Sequence, residues 1–428
     1  MSTRTLIHWT ENDAPHSASW RSAAGLPPPP RVMVADDRMS ADAAYRLASE
    51  GTALLWRGDF QNARQLLQAM ARRIDRTPRR VAKEAKLAPA VTAGQGRKGT
   101  KGIKEDPGAQ AGAIAGTATR IDQFNRHRQA QSQRARTLGM LLIPMLADGI
   151  IPLRRAPDVL LACSEAYGAF GGNGNLAAKA GIEHEKAAHG IASVLSLREL
   201  QGVIGAHEWR KKGVEVPALA ARIHPHYGVF APIRSEYLDL VANTPLPATD
   251  RAFDIGTGTG VLAAILVQRG VRQVIATDLD ARALECARDN LQRLGLAQQV
   301  EVRSADLFPE GRAGLIVCNP PWLPARPSSP LEHAVFDPES RMLRGFLTGL
   351  PSHLAAGGEG WLILSDLAEH LGLRSRTSLL ELIAGAGLRV LGRTDIRPRH
   401  PRASDASDPL HAARAAEITS LWRLAALA

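Results

Sequence analysis

Four consecutive residues, Asn319-Pro320-Pro321-Trp322, carry the most specific chemistry in this chain of 428 residues. An amide or exocyclic amino nitrogen is a poor nucleophile because its lone pair is delocalised into the attached π-system. It becomes reactive when both N–H bonds are held by acceptors and the lone pair is left aimed at an electrophile. The Asn319 side-chain oxygen and the Pro320 backbone carbonyl can be those two acceptors, acting through position and fixed dipoles rather than as a strong base. Pro320 and Pro321 stiffen the loop and restrict the residue before each of them. Trp322 offers a flat face on which a planar amide or base can stack. The plainer reading is a strand stopped by proline, with a packed tryptophan after it.

A second constellation lies upstream in "FDIGTGTGVLAAIL", Phe253 to Leu266. Gly256, Gly258 and Gly260 predict a tight strand-to-helix turn with approachable backbone N–H groups, beside the positive end of the following helix. An anionic group is expected there. Alone the turn is ambiguous, because Gly258-x-Gly260-x-x-Ala263 also satisfies the dinucleotide fingerprint. Carboxylates extend the site: Asp254 in the first strand, Asp278 closing the second and Asp306 after the third. An acid closing the second strand can accept both hydroxyls of a ribose, and ligands of open α/β sheets bind at those carboxyl ends.

The order D-x-G-x-G-x-G, then Asp278, Asp306 and N-P-P-W, resembles the class I S-adenosylmethionine-dependent methyltransferases. More narrowly it is similar to the amino-methyltransferases that carry (N/D)-P-P-(Y/F/W). The resemblance covers roughly residues 216–428. It implies that Gly256, Gly258 and Gly260 pass the methionine part of the cofactor. It further implies that Asp278 holds the ribose, that Asp306 with Leu307 meets the adenine, and that Asp254 orients the loop or the cofactor's amino group. Asn319 and Pro320 become the catalytic acceptors, with Pro321 and Trp322 against the substrate. One departure is Ala313-Gly314, where the family often has an Asp. The lead-in "HYGVFAPIRSEYLDLV", His226 to Val241, is similar to that of protein glutamine N5-methyltransferases at Phe230, Pro232, Arg234 and Glu236, with Arg234 as a substrate contact. RNA guanine-N2 methyltransferases carry a comparable lead-in, so glutamine and base both remain open.

These residues need a frame to position them. After Gly213, short β-rich runs alternate with helical stretches: "RAFDIG", "QVIATD", "VEVRSA", "LIVCNP" and "GWLILS". Such alternation predicts a parallel sheet wound by helices. The last two runs, "LRVLGRTD" and "EITSLWRL", are joined only by a loop, which predicts a terminal antiparallel hairpin at the sheet edge. The expected fold is therefore a seven-stranded, doubly wound, Rossmann-like methyltransferase sheet over residues 216–428. A mainly helical N-terminal region precedes it: an extended lead-in (1–39), a basic helical segment (40–86), a Gly/Ala/Lys linker (87–119) and a helical domain (120–215). The apolar residues Leu66, Leu67, Met70 and Ile74 recur at helical spacing. In "HEKAAH", His184 to His189, the histidines are five apart and share no helix face, so no metal site is expected.

The net charge of +11 is unevenly placed, with 18 Lys+Arg against 7 Asp+Glu in residues 51–150 and balance elsewhere. That block is expected to face nucleic acid or the ribosome, or else to be a solvated helix face with a basic linker. Its few aromatics, Trp56, Phe60 and Phe124, argue against stacking on single-stranded bases. Three distant cysteines, no signal pattern and no long apolar span point to a soluble cytoplasmic protein. The acceptor is expected to be a protein glutamine or an RNA base in the translation machinery. Two alternatives stand beside it: a non-catalytic RNA- or ribosome-binding module on this fold, and a nicotinamide-dependent oxidoreductase, which would leave N-P-P-W unexplained.

Overall fold

A computed structural model describes residues 5–86, 107–170, 191–233, 235–327, 330–399 and 405–427. These divide into two compact units, one from residues 1–117 and 126–204, the other from 118–125 and 205–428. The "HEKAAH" stretch, Arg234 and most of the expected 87–119 linker lie outside the described residues.

The first unit is rich in helix, as expected, and adds a sheet that the sequence reading did not foresee, with strands in the expected lead-in. It holds a six-stranded mixed sheet ordered β1-β2-β6-β5-β4-β3. The strands are β1 (Leu6–Glu11), β2 (Ala14–Arg21), β3 (Arg31–Ala35), β4 (Thr52–Trp56), β5 (Leu141–Met145) and β6 (Ser193–Ser196). Along β1 exposed and buried residues alternate, and Asn12 and Asp13 both take positive φ, 51° and 60°. That is the two-residue hairpin turn whose twist matches the flanking strands. The strands β4, β5 and β6 are short runs buried along almost their whole length. Such a run has no period of its own, so periodicity cannot separate it from a buried helical turn. Helices α1 (Ala41–Ser49), α2 (Phe60–Lys86), α3 (Pro107–Leu138), α4 (Leu160–Tyr167) and α5 (Leu197–Lys212) complete the order. Along α2, three of the four residues expected at helical spacing, Leu66, Leu67 and Met70, are buried, Ile74 is half-buried, and Ala63 joins the buried face.

The second unit is the expected wound sheet. Its strands are β9 (Arg251–Ile255), β10 (Gln273–Asp278), β11 (Val300–Ser304), β12 (Ala313–Cys318), β13 (Leu354–Ser365), β14 (Leu388–Ile396) and β15 (Thr419–Ala426), after a small β7–β8 ribbon (Val214–Val216, Ala221–Ile223). The order is β11-β10-β9-β12-β13-β15-β14. Strands β9 to β13 pair in parallel, and β15 pairs antiparallel with both β13 and β14. The central strands β9 and β12 are buried along almost their whole length because both their faces are covered. One face packs on α6 (Glu236–Asn243) and α7 (Val261–Gln268) through residues such as Leu238, Leu262 and Ile265. The other packs on Phe346, Leu347 and Leu350 of a helix over Arg341–His353.

The chain winds outward from β9 through β10 to β11, then returns to β12 on the other side of β9. That reversal opens a crevice at the carboxyl ends of the central strands. The register places Val317 opposite Asp254 and Cys318 opposite Ile255, so the residues after β9 and β12 start side by side. The glycine loop and N-P-P-W are therefore neighbours by topology.

Gly314 also explains the missing acid at that position. A Cβ there would lie 2.5 Å from the Ala248 Cβ, so the strand has no room for an aspartate. No described helix is long and apolar enough to cross a membrane.

Candidate active site

The glycine turn folds back on the end of β10. Gly256 and Thr257 both donate their N–H to the Thr277 carbonyl, each at 2.9 Å, and Gly258 donates to Asp278 Oδ2 at 3.0 Å. Gly260 donates to the Thr257 carbonyl at 2.9 Å. The turn's amides are thus largely satisfied within the protein, which corrects the expectation of a bare cradle for an anion. A pyrophosphate would meet two carboxylates there instead of free donors. All three glycines sit at left-handed φ, 73°, 55° and 80°, which L side chains rarely adopt. A Cβ on Gly256 would run into the Met342 methyl at 2.5 Å, whereas one on Gly258 meets nothing within 4 Å. Gly258 is where the bare backbone faces open space.

Asp254 sits under this turn, fully buried in β9. Its Oδ2 accepts from the Thr257 hydroxyl at 2.6 Å and from the Ala263 amide at 3.1 Å, so the acid ties the loop to the first turn of α7. Its Oδ1 is buried without a partner among the described residues. Burial pushes the Asp254 pKa up to about 6, with the nearby Asp278 charge adding to the rise and the Thr257 and Ala263 bonds opposing it. Burial also raises the Asp278 pKa, against the amides of Asp280 and Gly258 that favour its ionised form. Two carboxylates thus lie beneath and beside the turn. Their chemistry suits ammonium and hydroxyl donors.

Asp306 lies further out, exposed and paired with Arg341 at 2.8 Å. Its neighbour Leu307 holds φ 73°, an uncommon value for a bulky residue. The Leu307 carbonyl accepts from the Thr277 hydroxyl at 2.5 Å, which fixes it beside the end of β10. Of the lead-in residues, Pro232 and Glu236 are buried and Phe230 is half-buried. Glu236 Oε1, like Asp254 Oδ1, is a buried oxygen without a partner among the described residues.

At the end of β12, Pro320 is buried while Asn319, Pro321 and Trp322 are half-buried. The Trp322 indole borders the apolar clusters on both faces of the sheet, which places it at the sheet's end. Its Nε1–H donates to Asn319 Oδ1 at 2.9 Å. Sequence reading missed this bond, although a donor three residues after the amide was visible. It also missed Thr257 and Thr277, whose hydroxyls pin Asp254 and Leu307; both stand beside the motif residues. Leu323 continues the loop by pairing with Phe336 and is 6% exposed, in one cluster with Phe124, Leu367, Leu371 and Leu410. Gln123, beside Phe124, donates to the Pro409 carbonyl at 2.6 Å. Nothing in the sequence pattern of α3 marks these two residues. Among the described residues no group of three His, Cys, Asp or Glu side chains could hold a metal ion.

The class that this sheet and site define has a counterpart among known families. Residues 221–376 match the family model described as the methyltransferase small domain, in agreement with the resemblance carried by the glycine loop and N-P-P-W. Among particular relatives, the release factor glutamine methyltransferase of Cereibacter sphaeroides is 35% identical over 166 residues, which cover 34% of this chain and 56% of that protein. The ribosomal protein L11 methyltransferase of Vibrio campbellii is 36% identical over 104 residues, 24% of this chain and 33% of that protein. The chain thus spans between a third and somewhat over half of these relatives. Among solved structures, the ribosomal protein L11 methylase of Lactobacillus delbrueckii subsp. bulgaricus is similar at 17% identity and a TM-score of 0.33, covering 47% of this chain and 82% of that one.

Proposed function

We propose that this chain is an S-adenosylmethionine-dependent N-methyltransferase whose acceptor is a planar amide, a glutamine side chain in a protein of the translation machinery. The observation that carries the reading is the side-by-side placement of the Asp254 and Asp278 carboxylates and the Asn319-Pro320 acceptors at one topological reversal. The orphaned Asp254 oxygen and the open face at Gly258 fit a cofactor with an ammonium group. Asp278 would take its ribose hydroxyls, and Asp306 with Leu307 its adenine. When bound, that cofactor supplies an electrophilic methyl carried on a sulfonium.

The chain's own residues supply position. Asn319 Oδ1 and the Pro320 carbonyl each accept one N–H of the target nitrogen, which turns its lone pair toward the methyl. Neither acceptor is a base at neutral pH, so they stabilise developing positive charge on that nitrogen as fixed dipoles. Trp322 lies against the planar group, and Pro321 keeps the loop stiff. Arg234 remains a proposed substrate contact from the sequence alone.

Glutamine is favoured by the similarity to the release factor glutamine methyltransferase; the lead-in at Phe230, Pro232 and Glu236 is compatible with either acceptor. An RNA base is the second reading, favoured by the surplus of 18 basic over 7 acidic residues in 51–150. Calorimetry with S-adenosylhomocysteine tests the cofactor: micromolar binding is expected, abolished in Gly258→Arg, and NADH binding in its place overturns the reading. Labelled methyl transfer into total cell extract, followed by protease or ribonuclease digestion, then decides the acceptor. Label released by protease supports glutamine; label released by ribonuclease moves the assignment to a base.

A further inference from the structure

A carboxamide has two ends of nearly the same shape and opposite hydrogen-bonding character. Turned one way, Asn319 accepts an N–H of the target; turned the other, it presents its own NH2 and repels it. Something must choose. The Trp322 indole nitrogen is a donor only, and it meets Asn319 at the oxygen, 2.9 Å away. An amide oxygen has two lone pairs, so one stays available for a second donor. The indole is itself held, half-buried and packed at the ends of both apolar clusters, and two prolines set the path between the partners.

We propose that Trp322 is a positioning residue that locks the Asn319 carboxamide with its oxygen toward the methyl acceptor, an inference that rests on the N-methyltransferase reading. The role belongs to the indole N–H and is separate from the stacking face, which a phenylalanine would also provide. It also makes a specific demand on position 319. A carboxylate has two equivalent oxygens, so an aspartate there needs no lock.

The test replaces Trp322 in the full chain with benzothienylalanine, which keeps the bicyclic outline and puts sulfur where the N–H was. S-adenosylhomocysteine affinity should stay within about twofold. The initial rate of labelled methyl incorporation into total cell extract should fall about tenfold, the factor expected for one lost neutral hydrogen bond. In an Asn319→Asp background the same replacement should cost no more than about twofold, because either oxygen accepts. Equal losses in the two backgrounds, or no loss with Asn319, overturn the proposal, since stacking and packing act alike in both. The bond is also read without any acceptor, from the Trp322 indole N–H resonance, identified by its absence in the benzothienyl protein. It should shift in Asn319→Ala, and an unmoved resonance overturns the lock. Extract that takes up no label with the unaltered enzyme refutes the methyltransferase reading instead, and leaves the resonance to judge the lock.

Discussion

At the scale of single residues, Asp254 is pulled in two directions. Folding removes its carboxyl from water, and its pKa rises from 3.8 to about 6. The folded state therefore binds the proton more tightly than the unfolded chain does. The stability this gives is fully present below pH 3.8 and is lost as pH rises through about 6. Asp254→Asn has no such penalty, so its stability relative to the unaltered protein should rise by about 3 kcal/mol between pH 4 and pH 7 in urea unfolding. A difference that stays flat over that range would show that Asp254 is not the titrating group. Cofactor binding carries the opposite sign, because a cationic amino group favours the ionised acid. S-adenosylhomocysteine affinity should be level from pH 7 to 8 and weaken as pH falls through 6, and Asp254→Asn should bind weakly at every pH. Asn319 separates from both effects. Asn319→Ala should keep cofactor affinity within about twofold and lose about a hundredfold in methyl transfer, the scale of removing one pre-aligned dipole. Full activity in that variant would remove Asn319 from the reaction.

At the scale of elements, the frame around the site was legible and its supports were not. The runs that became β9 to β13 are short, β-rich and spaced by helical stretches, and the two last runs could only close as a hairpin. The acids and glycines sit at strand ends, where sequence order alone locates them. Hydrogen bonds inside the turn were invisible, because whether an amide is free depends on what folds against it. The strands of the first unit were missed because runs as short as "TALLW" carry no period. The cue in β1 and β2 was present: alternation around Asn12-Asp13, both suited to a hairpin turn. Phe124 belongs to the same lesson. It stands in a polar, arginine-rich stretch of α3 and yet is 4% exposed beside Leu323, the residue after Trp322. Truncating it leaves a cavity under the loop, at a cost of roughly 3 kcal/mol or more. Phe124→Ala should lower the rate of methyl transfer severalfold with cofactor affinity unchanged, and Phe124→Leu should restore most of it. A parallel loss of cofactor binding would mean that Phe124 supports the whole unit and not the loop.

At the scale of the whole molecule, charge is the feature the second unit does not explain. The surplus of basic residues falls between Gly51 and Ile150, which the structure builds largely as α2 and α3, while the rest of the chain is balanced. Arg64 and Arg72 on α2, and Arg126 and Arg136 on α3, are exposed. Exposed arginines alone make a solvated face, and each ion pair on such a surface is worth little. A surface that engages phosphates behaves differently, because every phosphate neutralised releases bound counterions. The logarithm of its affinity then falls linearly with the logarithm of salt, with a slope of about 0.9 per contact on a duplex and about 0.7 on a single strand. Purified ribosomal RNA is the probe, since it needs no assumption about the methylated atom. The full chain should bind it with a steep salt dependence. Replacing Arg64, Arg72, Arg126 and Arg136 with Gln should reduce that slope by about 0.7 to 0.9 for each arginine that meets a phosphate. S-adenosylhomocysteine affinity should not move. An unchanged slope with all four arginines gone would assign these side chains to solvent. The basic surplus would then say nothing of the acceptor, and its recognition in the proposed methyl transfer would fall to the second unit alone.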